Sequence, residues 1–150
     1  MMYEFRKGLI AAVIPFSLLA GACAAPQPGE TGPVPEGETA EGPRIASEGV
    51  YTVAQAERGS TAFETSCSTC HNVEEFTGTT FQGTWGARTM ADIHQFISEM
   101  MPMDAPGSLT TQQYTDIVAF IIRANGFPAG STELPTSTEA LRQIRFQPAR

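Results

Sequence analysis

The chain has 150 residues, of which 41% are hydrophobic and 17% charged, and its nine Lys and Arg stand against 16 Asp and Glu for a formal net charge of −7. That composition suits one folded domain of common size rather than a disordered chain. The acidic balance excludes a surface that holds nucleic acid or anionic lipid by charge, so an electrostatic partner has to bring the basic patch itself.

In chain order, Arg6-Lys7, the apolar run Leu9 to Ala20 and the small residues before Cys23 follow the order of a secretory signal. Residues 1–22 are therefore expected to be removed on export. This takes away Arg6, Lys7 and Glu4, moves the net charge from −7 to about −8 and leaves no Lys. Leu19-Ala20-Gly21-Ala22-Cys23 resembles a bacterial lipobox, in which the Cys takes a lipid and becomes the mature N-terminus. It departs from that pattern at Ala20, where Leu is usual. Ordinary cleavage at the small residues is the alternative. A retained transmembrane helix fits less well, because the run is short and carries Pro15. Three Cys in an exported chain leave one unpaired unless Cys23 is lipidated and the other two share a separate task.

Residues 23–50 hold Cys23 and a linker in which residues 24–48 carry Pro26, Pro28, Pro33, Pro35 and Pro43 among Gly and Glu, with almost nothing large and apolar, and read as a solvated tether. The folded domain is expected over 51–130, with 131–150 a tail packed on it. Three helices are set by caps and period. The first opens at Thr52 with Gln55 three residues on and runs through Ala56, Gly59 and Phe63. The second has Thr89 as N-cap and an apolar stripe of Ile93, Phe96, Ile97 and Met100 that stops at Pro102. The third opens at Thr110 with Gln113, buries Ile117, Phe120, Ile121 and Ala124, and ends at Asn125-Gly126. With no alternating strand pattern, the fold class is all-α.

Cys67-Ser68-Thr69-Cys70-His71 is a C-x-x-C-H motif. Two thiols three positions apart can add to the two vinyls of a haem while the adjacent His reaches the iron from one face. A redox C-x-x-C needs no following His, and a zinc site needs a second ligand pair that this chain lacks. One covalent haem c is therefore expected, with Cys67, Cys70 and His71 holding it. The second axial ligand has to come from downstream, where Met100, Met101 and Met103 cluster. Met100 falls on the apolar stripe and reads as core. Met101 sits where Pro102 turns the chain out of the helix and is favoured for the iron; Met103, deeper in the loop, stays an alternative. His94, mid-helix, reads as an exposed polar residue.

At these residues the chain resembles class I cytochrome c, and more closely the cytochrome c domains found with quinoprotein (PQQ-dependent) alcohol dehydrogenases. The resemblance covers residues 52–145 and rests on several features of this sequence. They are Phe63 before the Cys pair, Phe81 and Trp85, the Thr89–Asp92 helix start, Met101-Pro102 followed by Pro106-Gly107-Ser108-Leu109, Tyr114 to Phe120, and Asn125 to Gly130. It implies about three main helices around one covalent haem, preceded by a disordered linker, with Met101 as the methionine ligand. It also implies a close crossing of the first and last helices at Gly59, and Trp85 as the aromatic that hydrogen-bonds a haem propionate, a plain core Trp being the alternative. In that family a Pro carbonyl between the haem His and the next aromatic usually accepts the His Nδ1–H; no Pro stands between His71 and Phe81 here.

The expected role is electron transfer on the periplasmic side of a bacterial membrane, not catalysis, with the chain lipid-anchored at Cys23 or else soluble. Its partners would be redox proteins, among them a quinoprotein dehydrogenase or a terminal oxidase. A haem enzyme or gas sensor would need an open distal site, which the methionine cluster argues against. A fixed subunit of a membrane complex is not separated from a free carrier by the sequence.

Overall fold

The structure is a computed structural model, and it describes residues 43–146. The expected signal, Cys23 and most of the expected tether lie outside the described residues. Among the described residues no helix is long and apolar enough to cross a membrane.

Among the described residues five α-helices carry the fold: α1 (Val53–Ser66), α2 (Gly78–Trp85), α3 (Met90–Met100), α4 (Thr111–Ala124) and α5 (Thr138–Arg142). The three expected helices are α1, α3 and α4, each opened by the predicted cap. The Thr52 hydroxyl accepts from the Gln55 N–H at 3.1 Å. Thr89 pairs with Asp92, and Thr110 with Gln113, in reciprocal capping boxes. Gly126, with φ of 79°, ends α4 as predicted.

Helices α1 and α4 cross where Gly59 meets the backbone of Asp116, and Phe63 and Phe120 pack beside the crossing with ring centroids 5.4 Å apart. The Arg58 guanidinium reaches across the same crossing to the Asp116 carboxylate at 2.9 Å and to Glu133 at 2.8 Å.

Two features carry too little local signal to be read from sequence. Helix α2 contains Gly78, Gly83 and three Thr, all poor helix formers. It is held by tertiary contacts, with Phe81 edge-on to Phe146 at 5.1 Å. A parallel pair of two-residue strands, β1 (Arg44–Ile45) and β2 (Ile144–Arg145), joins the two ends of the described chain.

The expected boundary at residue 51 is corrected by this arrangement. Residues 44–50 belong to the fold, because Ala46, Gly49 and Val50 are buried and β1 is paired. The tail supplies Leu134, Leu141, Ile144 and Phe146 to the core. Gln55, with no exposed surface, binds both backbone groups of Leu134, accepting its N–H at 2.8 Å and donating to its carbonyl at 3.2 Å.

Candidate haem site

The site begins where α1 runs out. The Cys67 N–H closes on the Phe63 carbonyl at 2.8 Å, and the His71 N–H then bonds the Cys67 carbonyl at 2.9 Å, so one tight turn carries Cys67, Cys70 and His71. Cys67 is half-buried against the core and Cys70 is exposed; neither is in a disulfide. Burial pushes the Cys67 thiol up, which suits a thiol that awaits a bond rather than a standing thiolate nucleophile.

Glu75 faces His71, with Oε2 3.2 Å from Nδ1. The ring also rests edge-on against Phe76, at 5.3 Å between centroids. With Nδ1 engaged, Nε2 is the atom left for coordination. The Glu75 carboxyl is held below the usual range first by the Asn72 backbone N–H and then by His71.

Beside this turn an open cleft of about 360 Å³ is lined by Glu75, Phe76, Phe81, Trp85, Arg88 and Phe96, with Thr80 and Thr84. Its size lies in the range of cofactor sites. Trp85 is half-buried on its wall, with Phe96 at 5.6 Å and the Arg88 guanidinium over its ring at 5.5 Å. A flat apolar macrocycle with acidic edges fits these walls, since aromatic surface would be covered and Arg88 offers the cation.

Two residues of the predicted α3 stripe stand differently from expectation. Ile93 is buried and Ile97 half-buried, but Phe96 is 47% and Met100 53% exposed. Met100 is therefore not a core residue. The stripe is wider than the core it meets, and Phe96, from its outer part, forms a wall of the cleft. His94 is also corrected: only 9% exposed, it packs its ring against Tyr114 at 6.2 Å, and its Nε2 has no hydrogen-bond partner.

Met101 is the C-cap of α3, with extended backbone at φ −131° and ψ 152°, and is half-buried. Its N–H bonds the Ile97 carbonyl at 3.0 Å and its carbonyl accepts the Tyr114 hydroxyl at 2.7 Å, so α4 fixes where α3 releases this residue. Met103 is 81% exposed.

Sequence reasoning missed Glu75 and Arg88. Glu75 has a legible signal, since Asn72-Val73-Glu74-Glu75 is an N-x-x-E capping pattern and Glu75 stands four residues after His71. Arg88 has none, because its role depends on α2 and α3 meeting at the cleft.

A covalent-haem turn, a neighbouring aromatic cleft and a mostly helical frame define a cytochrome c domain, an electron carrier rather than a catalyst. Residues 54–121 match the family model described as cytochrome C oxidase, cbb3-type, subunit III. The match takes in all but the first residue of α1 and most of α4, includes Cys67, Cys70 and His71, and agrees with one covalent haem c. No curated protein and no solved structure gives a match.

Proposed function

We propose that the protein is a membrane-tethered monohaem cytochrome that passes single electrons between redox proteins on the periplasmic side of a bacterial membrane. The observation that carries this reading is the Cys67–His71 turn, which sets both thiols and the histidine on one short segment beside the aromatic cleft; Met101, whose backbone is bonded on both sides, is the second ligand of this reading. Cys67 and Cys70 would hold the haem, and His71 through Nε2 and Met101 through its sulfur would bind its iron. Haem supplies the Fe(II)/Fe(III) couple, and Met/His ligation raises its potential. With His71 and Met101 both bound, the chain would keep small ligands off the iron, and Trp85 and Arg88, on the cleft wall, would hold the propionates.

The tether is Cys23, lipidated after removal of residues 1–22, with residues 24–43 as spacer. The donor is a quinoprotein dehydrogenase or another dehydrogenase or quinol-oxidising complex, a reading supported by the sequence resemblance. The acceptor is a terminal oxidase. The family description favours a second reading of the same chemistry, in which the chain is a fixed subunit of such an oxidase.

Carbon monoxide binding to the reduced holoprotein tests the carrier reading. Slow or absent binding is expected of filled axial positions; fast stoichiometric binding would indicate an open-site enzyme or sensor. Retention in membranes by the parent and release by Cys23→Ser tests the tether. Pull-down from detergent-solubilised membranes separates the free carrier from the fixed subunit.

A further inference from the structure

We propose that Glu75 is a positioning residue for the haem histidine: its carboxylate orients the His71 ring through Nδ1 and lowers the reduction potential of the site. This rests on the reading of His71 as an iron ligand.

The carboxylate is held on both sides. Its Oε1 accepts the Asn72 backbone N–H at 3.0 Å, which leaves Oε2 facing Nδ1 of His71 at 3.2 Å. The Glu75 N–H returns to the Asn72 carbonyl at 3.1 Å, closing the turn on itself. Beyond Glu75 the turn is clamped from α4, because the Asn125 side-chain amide donates to the Phe76 carbonyl at 2.8 Å and accepts the Gly78 N–H at 3.2 Å. Phe76 then packs edge-on against both His71 and Phe63. An acid four residues from a histidine on a free surface would swing; this one is held by the Asn72 backbone in a turn that Asn125 and Phe63 brace from outside.

A carboxylate accepts only, so the contact puts the proton on Nδ1 and leaves Nε2 with its lone pair free. A hydrogen bond to an anion is stronger than one to a neutral carbonyl. It makes the imidazole a better donor at Nε2, as carboxylate partners of metal-bound histidines do. A more electron-rich ligand and a nearby negative charge both favour the more highly charged Fe(III) state, so the potential falls. Departure of this loop from the usual Pro carbonyl is thus answered by a charged partner at a different position.

The test uses holoprotein matured in a cytochrome c-competent host. Because the chain has two histidines, nitrogen-15 histidine NMR of the oxidised protein reads the ligand directly. One strongly paramagnetically shifted ring, surviving in His94→Gln, identifies His71; its absence overturns the ligand reading itself. Given that ring, spectroelectrochemical titration of Glu75→Ala, Glu75→Gln and Glu74→Ala tests the present inference. Glu74 is the control, since it is adjacent and exposed and carries the same charge. The expected result is a clear upward shift for Glu75→Ala, a smaller one for Glu75→Gln, which keeps an acceptor, and the least for Glu74→Ala. Solvent exchange of the His71 Nδ1 proton should accelerate in Glu75→Ala alone. Equal shifts for Glu74→Ala and Glu75→Ala, or no shift in Glu75→Ala, would overturn the positioning role.

Discussion

Gly59 of α1 lies directly against the Asp116 carbonyl of α4, so closely that a Cβ built on Gly59 collides with that oxygen and its carbon and sits 3.0 Å from the Phe120 Cβ. Two helices can approach this far only where one of them has no side chain. The obstacle is backbone, which cannot rotate aside, so Gly59→Ala has to push α1 and α4 apart along the Phe63–Phe120 contact.

Ala is the better helix former by about 1 kcal/mol, yet overpacking of this kind typically costs on the order of 1–3 kcal/mol and sometimes more. Gly59→Ala is therefore expected to be net destabilising in urea unfolding of the holoprotein. Gly83 in α2 has nothing within 4 Å of its built Cβ. Gly83→Ala should be neutral or slightly stabilising, and a loss of stability equal to that of Gly59→Ala would refute the steric account.

Gln55→Leu keeps the buried volume nearly constant and removes both partners of Leu134. Each buried backbone group left without a partner costs about 1–3 kcal/mol, so a loss of at least roughly 2 kcal/mol is expected. Amide exchange should show where it falls, with the Leu134 N–H losing protection before the amides of α4. An unchanged exchange rate at Leu134 would count against this assignment.

Met101→Ala is expected to abolish the weak near-infrared band of Met–Fe(III) ligation, lower the potential and open the iron to carbon monoxide. Met100→Ala should keep the band. With Met100 half exposed, its truncation should cost well under the roughly 2–5 kcal/mol of a buried methionine. Survival of the band in Met101→Ala with its loss in Met103→Ala would transfer the ligand to Met103.

His94 gives the fold a pH dependence with a definite sign. Burial pushes its imidazole below the ordinary value, with the Thr111 carbonyl acting weakly the other way. In the unfolded chain it titrates near its usual ~6.5. As pH falls below about 6.5 the unfolded state binds the proton first, so stability declines until the lower folded pKa is passed, where this slope vanishes. Above ~6.5 both states are neutral there and the residue adds no slope. Urea unfolding at pH 7.5 and 5.5 should therefore show a smaller acid loss in His94→Gln than in the parent. Equal losses would place the acid sensitivity elsewhere.

The haem turn and the three capped helices were legible because each is written locally, as a motif or as a hydroxyl–carboxamide or carboxylate pair three residues apart, while the Gly59 crossing was expected only from the family resemblance. Helix α2 was not, because its glycines and threonines argue against a helix and Phe81 and the Asn125 clamp supply what propensity lacks. Residues 44–50 read as linker for the same reason, since two paired residues in each of β1 and β2 make no periodicity. Periodicity marked the apolar face of α3 but not what lies opposite it, so Met100 was read as core and His94 as exposed, each the reverse of what the structure has. By itself the sequence determined the class of cofactor, the Cys67–Cys70 spacing that suits it and the helical frame, all of which depend on spacing along the chain. Only the tertiary structure decided that Arg88 stands on the cleft wall and that Tyr114 fixes Met101, because each depends on where the chain folds back in space.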